Sequence, residues 1–266
     1  MTSSNPSMTA GSCTLVGAGP GDPELLTLKA VKAIQAATVL FVDDLVNHEI
    51  LAWARPGARI VHVGKRGGCK STPQAFIEKL MITAVREGEH VVRLKGGDPF
   101  IFGRGGEEVE HLREAGIECR VVNGITAGLA AVTALGVPLT HRDHAQGVVF
   151  VTGHAKTGAS ARHDPTDWRA LATTARDARL TLVIYMGVAG VDHIQQQLLD
   201  GGLPPEMPVA VVQQASLPGQ RQVTSTLAHL AGDLHAAGMG SPAVIVVGDV
   251  LRGMAAARQD AVRFGT

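Results

Sequence analysis

Hydrophobic positions along this chain fall in short blocks, and each block breaks at glycine, proline or charge. Cys13-Thr14-Leu15-Val16 runs into Gly17-Ala18-Gly19-Pro20-Gly21-Asp22-Pro23, and Leu25, Leu28, Ala30, Val31 and Ile34 follow at helical spacing. A strand, a loop and a helix are predicted in that order. The succession then returns. Residues 38–42 predict a strand ending in Asp43-Asp44, and 59–63 another ending in Gly64-Lys65-Arg66-Gly67-Gly68. Ser71-Thr72-Pro73 marks a helix start with proline at an early position, and that helix is predicted to run to about Arg86. Residues 119–122 form another short strand, ending at Asn123-Gly124-Ile125-Thr126-Ala127-Gly128, with a small-residue helix after it. Repetition of strand, loop and helix predicts a mostly parallel sheet covered by helices, its polar loops gathered at one edge.

The stretch from Val91 to Glu108 stands at the centre of this pattern. Val91-Val92-Arg93-Leu94-Lys95 begins as a buried strand end and breaks into Gly96-Gly97-Asp98-Pro99, where no regular element continues. Glycines permit positive φ and a close approach of a ligand to the main chain, and Pro99 removes a donor. After Phe100-Ile101-Phe102, Arg104 lies inside a second cluster, Gly103 to Gly106. Glu107-Glu108 then opens a pattern through Val109, Leu112 and Ala115 that reads as a helix with acidic residues in its first turn. A strand end, a bare loop and a helix start is where open α/β sheets bind small molecules.

Pro138-Leu139-Thr140-His141-Arg142-Asp143 reads as a linker, and a second α/β half begins at Gly147. Its predicted strands are 147–152 before Gly153-His154, 180–186 before Gly187, 209–212 before Gln213-Gln214-Ala215-Ser216, 222–226 and 243–250. Residues 155–167 read as loop, and a helix passes through Ile194 and Leu198. The domain reading is a disordered leader at 1–11, an N-terminal α/β domain at 12–139, a C-terminal α/β domain at 140–255 and a tail at 256–266. Two halves of this kind predict a ligand cleft between them.

Totals narrow the function more than the fold. The 266 residues carry a formal net charge of +0 and 3% aromatics. That composition disfavours a nucleic acid or an acidic membrane surface as partner, and stacking platforms for single strands as well. The 32 glycines concentrate at predicted strand ends, as ligand loops do. Cys13, Cys69 and Cys119 lack metal-ligand spacing, and an odd count without a signal peptide predicts a reduced, cytoplasmic setting. No apolar run has the length of a membrane span. His141 and His144 flank Asp143 with no third His or Cys nearby, so no metal site is expected. The first glycine loop superficially matches a dinucleotide fingerprint, but Pro20 and Pro23 disturb the helix start that a pyrophosphate needs.

Taken together, five segments resemble the tetrapyrrole methylases: Val16 to Pro23, Val92 to Phe100, Gly124-Ile125-Thr126-Ala127, Thr152-Gly153-His154 and Tyr185-Met186-Gly187. Gly64-Lys65-Arg66, the run from Arg93 to Glu108 and Leu139-Thr140-His141-Arg142-Asp143 are most similar to the branch that methylates uroporphyrinogen III on carbon. The resemblance implies a fold of two α/β domains with the active site in the cleft between them, and a typically homodimeric protein. It implies two S-adenosylmethionine-dependent methylations, at C2 and C7, that give precorrin-2 for cobalamin or siroheme, with S-adenosylhomocysteine as by-product and no metal. Pro20, Gly96, Gly97, Asp98, Ile101, Thr126, Ala127, Met186 and Ala215 match its cofactor-contacting positions. Asp43 matches the proton acceptor and Lys65 the proton donor. Val42 stands where relatives often carry Tyr, and Ala215 where some carry Gly.

Methyl transfer from a sulfonium to carbon is an in-line displacement, so positioning supplies much of the rate. A strand-end carboxylate such as Asp43 suits proton acceptance, and Lys65 suits proton donation or neutralising a substrate carboxylate. A macrocycle ringed by carboxylates needs cations despite zero net charge; Arg66, Arg104, His141 and Arg142 are the candidates, Arg104 foremost. Structural readings stand beside these: Arg104 as a partner of Glu107 or Glu108, Asp98 as a turn-forming residue before Pro99, and Met186 as core. The competing functions are another methylase of the superfamily, acting on a precorrin, diphthine or ribosomal RNA, and a non-catalytic cofactor-binding protein.

Overall fold

A computed structural model describes residues 11–64, 73–153 and 166–253. Lys65, Arg66, Cys69, His154 and the expected leader and tail lie outside those residues, except for Gly11 at the leader's end. The chain divides into two compact units, one ending at Thr126 and the next starting at Ala127.

In the first unit the strands are β1 (Ser12–Gly17), β2 (Val39–Val42), β3 (Arg59–His62), β4 (His90–Lys95) and β5 (Cys119–Val122). Their order is β3-β2-β4-β1-β5, and every pairing is parallel. The sequence expectation of a parallel sheet holds here. Three helices cover it: α1 (Leu28–Ala36), α2 (Gln74–Arg86) and α3 (Gly105–Glu114). Side chains alternate across a strand, so each strand feeds both faces. Val16, Leu40, Val42, Val92 and Leu94 meet Ala30 and Ile34 of α1. Cys13, Leu15, Val39, Phe41 and Val91 meet α2 and Leu112 of α3. Thr27 starts α1 by accepting a hydrogen bond from the Ala30 N–H at 3.1 Å.

The connections fix where a ligand site belongs. From β1 the chain passes β4 to reach β2, with α1 on one face. From β4 it passes β1 to reach β5, with α3 on the opposite face. The neighbouring carboxyl ends of β1 and β4 therefore send their loops to opposite sides, the arrangement that opens a crevice in such sheets.

The second unit holds α4 (Ala127–Leu135), β6 (Gly147–Thr152), α5 (Trp168–Asp177), β7 (Leu180–Tyr185), α6 (Val191–Asp200), β8 (Pro208–Gln213), β9 (Arg221–Thr226), α7 (Leu230–Ala236) and β10 (Ala243–Val247). The sheet order is β6-β7-β10-β8-β9; β6 and β7 are parallel and the remaining pairs antiparallel. Because β7 and β8 both run against β10, the C-terminal ends of β6, β7 and β8 share one edge. Helices α5, α6 and α7 pack on one face. Ala130, Ala131, Val132 and Leu135 of α4 pack on the other, against Val183, Ala210, Val212, Val244 and Val246.

That packing moves the boundary from the expected residue 139 to Thr126. Helix α4 was expected to close the first domain, but its apolar small side chains are buried on the second sheet. The expected linker is likewise part of the second unit: Thr181 donates to the Leu139 carbonyl at 2.8 Å, and His141 pairs with Ala145 in a tight turn. No helix among the described residues is long and apolar enough to cross a membrane.

Candidate functional site

At the β1 and β4 ends, the Gly19 N–H donates to the Gly97 carbonyl at 3.2 Å and the Gly97 N–H to the Gly19 carbonyl at 2.7 Å. The loop after β5 closes on the same pair. A Cβ at Gly17 would lie 2.4 Å from the Gly124 nitrogen, and one at Gly124 would lie 2.2 Å from the Gly97 oxygen. A Cβ at Gly96 would lie 2.8 Å from Leu45 Cβ, and Gly97 has φ +67°. The sequence suggested glycines that admit a ligand; the structure shows that Gly17, Gly97 and Gly124 also admit one another. Three loops approach backbone to backbone, and only glycine allows it.

Asp98 staples this knot. Its Oδ1 accepts from the Phe100 N–H at 2.8 Å, which is the expected Asx turn, and its Oδ2 accepts from Asn123 Nδ2 and the Gly124 N–H, both at 3.1 Å. Pro20 follows Gly19, the Ile101 N–H donates to the Asp98 carbonyl at 3.3 Å, and Thr126 is buried two residues past Gly124. The unit-one candidates thus share one sheet edge. The Asp98 carboxylate is already satisfied by these bonds.

Asp43 stands beside it. Its N–H donates to the Leu94 carbonyl at 3.1 Å, and its side chain is 36% exposed. Arg93 reaches it with a guanidinium nitrogen 3.5 Å from Oδ1. This arginine is buried, and so are Lys95 and Glu108. Arg93 Nε bonds Glu108 Oε1 at 2.9 Å, Gln74 Nε2 donates to the same oxygen at 2.8 Å, and Lys95 Nζ lies 3.1 Å from Glu108 Oε2. The last contact is an ion pair whose angles fall outside a hydrogen bond's. Burial pushes the Lys95 ammonium below the usual lysine range, and the adjacent Arg93 charge adds to that shift. The run Val91-Val92-Arg93-Leu94-Lys95 looked like a plain buried strand end. The missed signal is alternation: Arg93 and Lys95 share a face of a central strand with Val91.

In the second unit, Met186 ends β7 at φ +54° and is 47% exposed, rather than buried in the core. Tyr185 beside it points its hydroxyl at the start of α4, where the Gly128 N–H donates to it at 2.7 Å. Phe150 meets the Tyr185 ring edge-on at 6.0 Å. Ala127 and Met186 are thereby set at one sheet edge. Ala215, past the end of β8, is 6% exposed between Gln214 at φ +52° and Ser216 at φ +68°. Among the described residues, the non-glycine positive φ values fall at Phe102, Arg104, Met186, Gln214 and Ser216, with Arg179 the one outside these loops. Such conformations cost of order 1–3 kcal/mol each and gather at functional sites.

Arg104 is exposed and forks onto Glu107 through Nε at 3.0 and 3.1 Å, so its structural partner is the one the sequence offered. His141 Nδ1 accepts from the Asp143 N–H at 3.1 Å and its ring tilts onto His144 at 4.8 Å; Arg142 is exposed. Val42 is buried against α1, so the departure before Asp43 packs as core. Cys13 and Cys119, distant in sequence, are register partners on β1 and β5. Their mutual hydrogen bond holds the Cys13 thiol above its usual pKa and Cys119 below.

Helix α3 carries a pH-dependent pair as well. His111 Nδ1 sits 2.7 Å from Glu78 Oε2, and that bond raises the imidazole pKa. A raised folded-state pKa contributes stability in full below the unfolded value of about 6.5 and loses it as pH rises through the folded value. Proton NMR should show His111 titrating above its ordinary range and returning to it in Glu78→Gln. Melting scans should show the wild-type advantage over that variant shrinking above pH ~6.5; an advantage that grows with pH would contradict the pairing.

Known proteins are similar to this chain over most of its length. A uroporphyrinogen-III C-methyltransferase of Pseudomonas aeruginosa is 53% identical over 243 residues, covering 91% of this chain and 95% of that protein. Siroheme synthase 2 of Aeromonas hydrophila is 50% identical over 241 residues, but this chain spans only 49% of its length. Among solved structures, a uroporphyrin-III C-methyl transferase from Thermus thermophilus, complexed with S-adenyl homocysteine, is 41% identical with a TM-score of 0.73, covering 91% of this chain and 99% of that one. A cobalt precorrin-4 methyltransferase superposes with a TM-score of 0.80 at 27% identity, covering 93% and 98%. The family model of the Tetrapyrrole (Corrin/Porphyrin) Methylases matches residues 12–231, and the chain belongs to that family.

Proposed function

We propose that the protein is an S-adenosylmethionine-dependent C-methyltransferase that methylates uroporphyrinogen III at C2 and C7, through precorrin-1, to precorrin-2. The observation that carries the reading is Asp43: a half-exposed carboxylate at the end of β2, held by Arg93 beside the β1–β4 crevice. S-adenosylmethionine supplies an electrophilic methyl carbon on a sulfonium. Gly96, Gly97, Asp98, Ile101 and Pro20 present main chain and an apolar side chain to it, with Thr126, Ala127, Met186 and Ala215 as its further contacts. The nucleophile is an electron-rich ring carbon, so the chain need only align it. Asp43 accepts the proton released after carbon–carbon bond formation, and Lys65 donates a proton or pairs with a substrate carboxylate. Arg66, Arg104, His141 and Arg142 receive the remaining carboxylates, Arg104 after leaving Glu107.

The enzyme acts as a cytoplasmic homodimer, without nucleic acid or membrane as partner, and its product feeds cobalamin or siroheme synthesis. Anaerobic incubation with S-adenosylmethionine and uroporphyrinogen III, followed by product mass, tests the reaction. A gain of two methyl groups is expected. Tight S-adenosylhomocysteine binding with no methyl gain would redirect the assignment to another precorrin substrate.

A further inference from the structure

Charges are rarely spent on the inside of a sheet. Arg93, Lys95 and Glu108 have side chains only 2%, 3% and 0% exposed, in a sheet whose neighbouring positions are apolar. Buried ion pairs are weak contributors to stability, and well-packed apolar residues often replace them at no loss. Their arrangement points outward instead. Glu108, in the first turn of α3, takes Arg93 Nε and Gln74 Nε2 on one oxygen and faces Lys95 with the other. The Phe41 and Leu94 carbonyls accept from another guanidinium nitrogen, at 3.4 and 3.5 Å. Arg93 is thus fixed from several sides, and its remaining edge is the one that meets Asp43, whose side chain is 36% exposed at the end of β2.

We propose that Glu108 is a positioning residue for the methylation. It anchors the Arg93 guanidinium so that Arg93 sets the Asp43 carboxylate at the strand end, while Lys95 balances the charge of its second oxygen. This rests on Asp43 being the proton acceptor. A side chain that only filled the core would be replaceable by any well-packed apolar residue; one that positions Arg93 must supply an acceptor to Nε.

Two double variants separate these roles. Lys95→Met with Glu108→Gln removes both charges but leaves an amide oxygen for Arg93 Nε. Lys95→Met with Glu108→Leu removes the acceptor as well. The Leu variant leaves Arg93 Nε and Gln74 Nε2 without their acceptor and should melt about 2–12 °C below the Gln variant, while both should bind S-adenosylhomocysteine within about twofold of wild type by calorimetry. The Gln variant should keep at least about a third of kcat, and the Leu variant should lose about 30- to 100-fold in kcat, the scale of a displaced catalytic group.

Equal kcat in the two variants would overturn the proposal, leaving a structural ion pair. A parallel loss of S-adenosylhomocysteine affinity and kcat would overturn it too, since the network would then act through the cofactor loops. Glu108→Asp keeps the charge and shortens the reach, so it decides the case if the Leu variant does not fold. Reduced kcat with unchanged inhibitor affinity supports positioning, and wild-type kcat refutes it. Asp43→Asn run alongside isolates the premise: wild-type turnover there removes Asp43 from the chemistry, whatever Glu108 does.

Discussion

Asp43→Asn is expected to lower methylation turnover by about 10²- to 10⁴-fold, the range of a lost general base, while S-adenosylhomocysteine affinity changes by less than about threefold. The substitution is nearly isosteric. An asparagine oxygen still faces Arg93, and Arg93 keeps its bond to Glu108 at 2.9 Å, so no buried charge is orphaned. Asp43 is 36% exposed, and its link to β4 runs through its backbone N–H to Leu94, which the change leaves intact. Stability should therefore hold, and the loss should fall on kcat. Single-turnover product formation under anaerobic conditions, paired with calorimetric titration of S-adenosylhomocysteine, reads both quantities. Wild-type turnover in a folded Asp43→Asn protein would remove this residue from the chemistry. A collapse of inhibitor binding would place it in the cofactor cradle instead.

The first sheet was legible in the sequence because its strands are short apolar runs cut by turn residues, and hydrophobic period is a local signal. Each strand-end loop was legible for the same reason. Sequence could not show which sheet α4 serves. Ala130, Ala131 and Val132 are small and apolar and would suit either, and only the three-dimensional partners, Val183 and Val244 among them, decide. Helix α5 went unread because its buried face is Trp168, Ala172 and Ala175, with polar residues between. Its start is nevertheless a capped one, with Asp167 accepting from the Ala170 N–H at 3.0 Å.

At the site, the roles taken from residue type divided unevenly. The glycine clusters were found, but their packing on one another was not, since loop-to-loop contact between β1, β4 and β5 ends is a long-range fact. Asp98 was read as both turn former and ligand contact; the turn is formed, and the bonds to Asn123 and Gly124 were out of reach because they join segments 25 and 26 residues apart. Arg93 and Lys95 were placed in a buried strand end, but their pairing with Glu108 was out of reach because it joins separate elements. A charge in a strand is ordinarily a solvated face, and here the face is covered by α2 and α3.

Gly124→Ala should damage the other half of the site. The added methyl would lie 2.2 Å from the Gly97 oxygen, 2.8 Å from the Gly17 carbonyl carbon and 2.9 Å from Gly17 Cα. All three are backbone atoms of strand ends, so no side chain can swing aside, and the β5 loop must withdraw from the other two. Withdrawal pulls Gly124 and Asn123 from Asp98 Oδ2, unfastening the staple that holds Gly97 against Gly19. Overpacking of this kind costs about 3 kcal/mol, a fall in Tm of roughly 6–12 °C for a chain of this size. S-adenosylhomocysteine affinity should weaken at least about tenfold, the equivalent of about 1.4 kcal/mol, because the proposed binding surface is the main chain that moves. Gly106→Ala is the matched control, since a Cβ there meets nothing within 4 Å and the residue lies in α3. It should gain about 0.5–1 kcal/mol from reduced unfolded-state freedom and bind as wild type does. Thermal melts of the two alanine variants therefore oppose each other in sign, and calorimetry sets a weakened affinity against an unchanged one. A Gly124→Ala protein with unchanged Tm and inhibitor affinity would mean that the three loops do not depend on their close approach, and the cofactor cradle would have to be sought elsewhere in the chain.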